Sequence, residues 1–128
     1  MDLIIGGAYS GKLTCAVKRY GFRKSALIDL EKGLPEPQSA PVCLYHLEAY
    51  TRRCLEDGMN ADEVVCALEP FICIPGAVIV SREIGCGIVP MDGFERAYRE
   101  LHGQVLSRLS ARAAHAFRVF VGIEEVLK

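Results

Sequence analysis

The stretch Leu3-Ile4-Ile5-Gly6-Gly7-Ala8-Tyr9-Ser10-Gly11-Lys12 decides how this chain is read. Its apolar residues predict a short buried strand over residues 2–6, and residues 12–20 are rich in helix formers, with Gly21 placed to stop them. Between the two, Gly6 to Lys12 fits the spacing G-x-x-x-x-G-K. Glycines at these positions let the backbone curl until several N–H groups point inward at phosphate oxygens. The helix that follows adds its positive end, and the lysine adds a mobile cation for the outer phosphates. The expected nucleotide-binding residues are therefore Gly6, Gly7, Ala8, Tyr9, Ser10, Gly11, Lys12, Leu13 and Thr14. Lys12 also has a catalytic role, stabilising charge on a transferring phosphoryl group.

One position departs from the usual pattern. A serine or threonine after the lysine would offer a hydroxyl to Mg²⁺, but residue 13 is leucine. Thr14 comes one position late, and one helical step turns a side chain by about 100°. Magnesium is then held mainly by the phosphates and water, and no metal ligand is assigned. Asp29, at the end of an apolar run, is the best candidate for a magnesium-binding acid, with a strand-end turn as the equally good structural reading.

Outward from the loop, residues 25–30 read as a second buried strand. Residues 31–41, with three prolines and a glycine, read as a loop. Leu44, Leu47, Thr51, Cys54 and Leu55 fall at helical spacing, which predicts a helix over 44–57 ending at Gly58; a short helix over 61–68 follows. Residues 77–81 are the clearest strand, and they lead into a loop over 82–90. Asp92 predicts an N-cap, with Glu95 completing a capping box, for a helix whose inner face carries Phe94, Ala97, Tyr98, Leu101, Val105 and Leu109. Residues 116–121 and 123–127 read as two strands turning at Gly122. Strands alternating with helices predict one domain over 1–128. The expected class is α/β, the three-layer P-loop NTPase fold of RecA-like type. Its central sheet is mainly parallel, with an antiparallel C-terminal hairpin.

Composition narrows the functional classes. Of 128 residues, 15 are basic and 16 acidic, a net charge of −1 that gives no reason to expect a nucleic-acid partner. No apolar run reaches membrane-spanning length and the start resembles no signal peptide, so the expected location is cytoplasmic with no membrane partner. The six cysteines lack metal-ligand spacing and are expected to be reduced core thiols. His102 and His115 are expected to be ordinary helix-surface or strand residues, and Arg96, Arg99, Arg108 and Arg112 a solvated basic side of the long helix. Glu83 follows the strongest strand, where ligands of open α/β sheets gather, and is the second catalytic candidate: it could orient a substrate hydroxyl or a metal-bound water. Gly85 and Gly87 would let its loop take positive φ.

Several of these stretches resemble one family. Gly6-Gly7-Ala8-Tyr9-Ser10-Gly11-Lys12 is similar to the GGARSGKS opening of the adenosylcobinamide kinase / adenosylcobinamide-phosphate guanylyltransferases of cobalamin biosynthesis. Residues 80–90 (VSREIGCGIVP) resemble that family's (V/S)NEVGxGIVP segment, with Arg82 in place of asparagine. Residues 94–103 resemble its RxFRDLxGRxNQ helix, and residues 122–128 its closing hairpin. The resemblance implies ATP or GTP as the nucleotide, a corrinoid as acceptor and a homo-oligomer, a trimer. Family members carry, after the second strand, a histidine that accepts GMP covalently. The corresponding residues 31–41 hold no histidine, and helical spacing puts His46 inside 44–57, where its neighbours Leu44 and Leu47 face the core and leave it limited freedom to swing to the phosphate loop. Kinase-type phosphoryl transfer is accordingly expected over guanylyl transfer. The alternative is a regulatory nucleotide-binding relative without transferase activity.

Overall fold

The computed structural model describes residues 1–85 and 90–128, so Cys86, Gly87, Ile88 and Val89, and what was expected of them, lie outside the described residues. Among the described residues, six strands form one sheet in the order β2-β3-β4-β1-β5-β6. The strands are β1 (Asp2–Gly6), β2 (Leu27–Asp29), β3 (Cys43–Tyr45), β4 (Val78–Arg82), β5 (His115–Phe120) and β6 (Ile123–Val126). All neighbours pair parallel except β5 and β6, which form the antiparallel hairpin. The expected mainly parallel α/β sheet with a C-terminal hairpin is what the chain forms.

Strand alternation divides the core in two. Ile4, Val78, Val80, Phe117 and Val119 face α1 (Lys12–Tyr20) on one side. Leu3, Leu44, Ile79 and Ala116 face the other side, which is covered by α2 (Leu47–Glu56), α3 (Ala61–Ile72) and α4 (Gly93–Arg112). The three layers are thus unequal, with one helix above the sheet and three below.

Several boundaries differ from the sequence reading. Residues 44–57 are not one helix: Val42, Cys43 and Leu44 are fully buried, and Cys43–Tyr45 pairs with both β2 and β4 before α2 begins at Leu47. The second strand is shorter than expected, bounded by 3-10 turns over Lys24–Ala26 and Leu30–Lys32. Helix α3 runs through Pro70 to Ile72, and the capping box belongs to this helix: Asn60 accepts from the Glu63 amide at 2.9 Å, and Glu63 accepts from the Asn60 amide at 3.1 Å. Asp92 does cap α4, accepting from the Phe94 amide at 2.8 Å, but Glu95 is drawn away to Arg52 at 2.6 Å. Two α4 arginines tie that helix to α3, Arg108 to Asp62 at 2.8 Å and Arg112 to Glu69 in a bidentate pair. Cys43 and Cys54 are buried as expected, whereas Cys66 and Cys73 are exposed.

Candidate functional site

The loop between β1 and α1 has the shape that its spacing predicts. Tyr9 and Gly11 both take left-handed backbone, with φ of 57° and 84°, and these two reversals bend the chain back over the sheet edge. Lys12 opens α1, and its Nζ donates to the Gly7 carbonyl at 3.1 Å, arching across the loop. Burial holds its ammonium below the usual lysine value, Glu48 opposes that shift and Arg82 adds to it. The Ser10 hydroxyl is buried inside the loop with no hydrogen-bond partner among the described residues. A buried orphan hydroxyl costs about 1–3 kcal/mol unless something satisfies it, and a phosphate oxygen would. Gly6 leaves no room for a side chain: a Cβ there would lie 2.6 Å from Ser10 Oγ and 2.7 Å from the Val119 carbonyl oxygen.

The far end of the chain braces this loop. The β5–β6 turn places Val121 and Gly122 at φ of 50° and 74°, the left-handed pair of a type I′ hairpin. The Gly122 amide donates to the Ser10 carbonyl at 2.8 Å, and Cys15 Sγ donates to the Gly122 carbonyl at 3.8 Å. Leu13 packs against the α1-side core, and Thr14 is exposed at the rim, so no hydroxyl stands next to Lys12 in the chain. Tyr9 is fully exposed at the mouth.

A cavity of about 170 Å³ over the loop is closed on its far side by Tyr45, His46 and Val80. His46 also lines a second, larger cleft of about 600 Å³, bounded by the start of α2, the exit of β4 and the start of α4. The residue is not inside a helix. It follows β3 in left-handed backbone, φ 60° and ψ 40°, at the N-cap of α2. Its half-exposed ring therefore stands at the carboxyl edge of the sheet, beside the loop. Reading Leu44 and Leu47 as one helical face concealed this; they are separated by a strand end.

Asp29 ends β2 and accepts from His46 Nδ1 at 2.8 Å and from the Glu31 amide at 3.0 Å. Burial opposes ionisation of Asp29, but the His46 ring, the Glu31 amide and Lys32 outweigh it and hold the carboxyl below its usual range. Glu31 Oε2 lies 3.7 Å from the same imidazole nitrogen. One oxygen or nitrogen from each of Asp29, Glu31 and His46 falls within 4.8 Å of the others, a spacing that a divalent cation could bridge. Asp29 thus occupies a strand end, as expected, together with two residues that sequence reasoning left apart.

Glu83 follows β4. Its amide continues the ladder to the Gly6 carbonyl at 2.9 Å, and its carboxylate pairs with Arg118 of β5 at 3.3 Å while lining the larger cleft. Glu48, in the first turn of α2, was missed in the sequence: its carboxylate accepts from the Arg82 amide at 3.0 Å and its charge acts on Lys12. Arg52 completes this wall, paired with Glu95 and lying over the Phe94 and Tyr98 rings at 5.0 and 5.2 Å. The local signal for both was Tyr45-His46-Leu47-Glu48, where a strand-to-helix junction puts polar residues at a sheet's carboxyl edge.

His102 is fully buried and not on a helix surface. Its Nε2 lies 3.0 Å from Ser81 Oγ and 3.1 Å from the Arg82 carbonyl oxygen, and its Nδ1 lies 3.1 Å from Thr51 Oγ1. Burial lowers its proton affinity, with the Arg82 carbonyl and Glu48 acting the other way. One imidazole thereby ties α4 to α2 and to the exit of β4, at the floor of the cleft.

Comparison with known proteins agrees with this architecture. The family model described as cobinamide kinase / cobinamide phosphate guanyltransferase matches residues 55–127, more than half of the chain, a span that begins after the phosphate loop and contains the β4 exit, α4 and the hairpin. The bifunctional adenosylcobalamin biosynthesis protein CobU of Salmonella typhimurium is 38% identical over 56 residues, covering 44% of this chain and 31% of that protein. The chain thus spans about a third of the length of the curated relative that it matches. Among the described residues no helix is long and apolar enough to cross a membrane. With a family match over more than half its residues, the chain belongs to the cobinamide kinase / cobinamide phosphate guanyltransferase family.

Proposed function

We propose that this chain binds ATP or GTP in the cradle formed by residues 6–14 and transfers a phosphoryl group to a side-chain hydroxyl of a corrinoid held in the adjoining cleft. The observation that carries this reading is the loop itself: left-handed turns at Tyr9 and Gly11, Lys12 arched over Gly7, and a buried Ser10 hydroxyl awaiting an acceptor or donor. Lys12 and the loop amides stabilise charge on the phosphoryl group in transfer, which is most of what such catalysis requires. Glu83, held by Arg118, orients the attacking hydroxyl or a metal-bound water from the cleft side. Magnesium, when bound with the nucleotide, is carried mainly by phosphates and water, since Leu13 offers no oxygen. The exposed Phe120, Ile123 and Val126 of the hairpin support assembly into a homo-oligomer, a trimer by family resemblance.

Incubation with cobinamide and γ-labelled ATP or GTP tests the reading. Label on the corrinoid, lost in Lys12→Ala, is the expected outcome. Nucleotide binding without any transfer would leave a regulatory nucleotide-binding protein instead.

A second reading, nucleotidyl transfer through His46, has an observation of its own. Asp29 holds Nδ1 at 2.8 Å, which leaves Nε2 as the ring nitrogen open to a substrate, and the residue lines the cavity over the loop. In that reaction Nε2 attacks the α-phosphorus of GTP and pyrophosphate leaves. Acid-labile label from α-labelled GTP, retained on denatured protein and absent in His46→Ala, would establish it; no retained label leaves phosphoryl transfer alone.

A further inference from the structure

We infer that Arg82 is a second cation of the phosphate site, its guanidinium binding the outer phosphates of the nucleotide beside Lys12 and holding them even without a divalent ion. The inference rests on residues 6–14 being the nucleotide cradle.

The sheet supplies the geometry. Along β4, Val78 and Val80 pack on the α1 side, Ile79 packs on the opposite side, and Ser81 meets His102 of α4 on that opposite side too. Alternation therefore roots the Arg82 side chain on the Val80 face, the face that carries α1 and the loop, at the sheet edge from which it reaches the cleft. Arg82 is in register with Gly6, the first glycine of the loop. Val80, one step earlier on the same face, already closes the cavity over Ser10, Gly11 and Lys12.

The backbone of Arg82 is clamped at both polar groups. Its amide donates to Glu48 at 3.0 Å, and its carbonyl accepts from Ser81 Oγ and lies 3.1 Å from His102 Nε2. The side chain is exposed and lines the cleft between the starts of α2 and α4, whose wall at His46 is shared with the cavity over the loop. Its charge reaches Lys12, whose proton affinity it helps to lower, and the Glu48 carboxylate more than offsets that repulsion in the empty protein. Two cations on either side of one carboxylate, one of them on a fixed backbone, are placed to gather around a polyphosphate. An arginine supplied within the chain also neutralises developing charge on a transferring phosphoryl group, which a site weak in magnesium ligands needs. His102, Ser81 and Glu48 then act as positioning residues, fixing the root of this arginine.

Calorimetric titration with ATP, ADP and AMP in EDTA and again in excess Mg²⁺ tests this on wild type, Arg82→Gln, Arg82→Lys and Lys12→Ala. In EDTA, Arg82→Gln should lose roughly ten- to hundredfold in ATP affinity, as expected for one charge-assisted contact, and Arg82→Lys should lose less. Excess Mg²⁺ should shrink the loss, because the ion takes over part of the same charge. AMP, which lacks the outer phosphates, should bind wild type and Arg82→Gln alike. Unchanged unfolding midpoints confirm that the exposed substitution leaves the fold intact. ATP affinity within twofold of wild type for Arg82→Gln in EDTA, with Lys12→Ala impaired, overturns the role of Arg82 and leaves the cradle standing. An equal loss toward AMP overturns the outer-phosphate contact. ATP affinity unchanged by either substitution, or no binding to wild type, removes the nucleotide reading and this inference together.

Discussion

Gly6→Ala against Gly7→Ala separates the structural requirement of the phosphate loop from its glycine content. A Cβ at residue 6 would sit 2.6 Å from Ser10 Oγ, 2.7 Å from the Val119 carbonyl oxygen and 3.4 Å from Ser10 Cβ, whereas at residue 7 nothing lies within 4 Å. The serine hydroxyl can rotate away, but the Val119 carbonyl belongs to β5, which pairs with β1 along its whole length. Relief therefore requires β1 and β5 to part by several tenths of an ångström, in the middle of a buried sheet. Overpacking of this kind costs about 1–3 kcal/mol. Urea unfolding followed by circular dichroism should show Gly6→Ala destabilised by that amount and Gly7→Ala within about 0.5 kcal/mol of wild type. The double variant Gly6→Ala with Ser10→Gly should recover only part of the loss, since the carbonyl contact remains. Equal stability of the two single variants, or full recovery in the double variant, would refute the argument that Val119 closes the space over Gly6.

Lys12→Ala should weaken nucleotide binding by an order of magnitude or more in calorimetry, from a charge-assisted contact of about 1.5–3 kcal/mol; equal affinity would remove the phosphate-loop reading. Leu13→Ser should make Mg²⁺-nucleotide bind about tenfold tighter, through one added contact of ~1.4 kcal/mol, and wild type that already depends strongly on magnesium would show that another side chain holds the ion. His102, with its proton affinity lowered by burial, takes up a proton at lower pH in the folded protein than in the unfolded chain. Stability should therefore be complete above about pH 6.5 and fall as pH drops below it, by at most about 1.4 kcal/mol per pH unit from this residue, and His102→Gln should flatten that slope in unfolding measured between pH 7.5 and 5. Asn60→Ala should cost about 1 kcal/mol of stability by removing the cap of α3, with no effect on nucleotide affinity.

The loop, β4, the long helix and the closing hairpin were legible because each carries a local signal: glycine spacing, a β-branched run, an apolar stripe, a glycine turn. β3 was not. Val42 to Leu44 is a buried run too short to show its own period, and Leu44, Leu47 and Thr51 happen to fall at helical spacing across the junction. That one misreading displaced His46 and Glu48 from the site. His102 was out of reach for a different reason: its partners Ser81 and Thr51 come from two other elements, so nothing within its own helix marks it as buried. Glu95 stands where a capping box needs it, yet Arg52, brought in by α2, competes successfully for its carboxylate.

The bracing of Ser10 by Gly122 has a consequence for the order in which the protein can be made. The phosphate loop is synthesised well before the strands that flank it: β1 finds its partners β4 and β5 only from residue 78 onward, and its pairing with β5 spans 113 positions. Until the hairpin turn has emerged, β1 is a strand without one of its neighbours and the Ser10 carbonyl lacks the Gly122 amide. Such long-range pairing is slow to form and leaves an early apolar strand exposed meanwhile. Nucleotide therefore cannot template folding of the loop at the time the loop is synthesised. It meets a finished cradle only when the last strands close over the first, so a ribosome-stalled chain ending before residue 115 should neither retain nucleotide nor resist protease at β1.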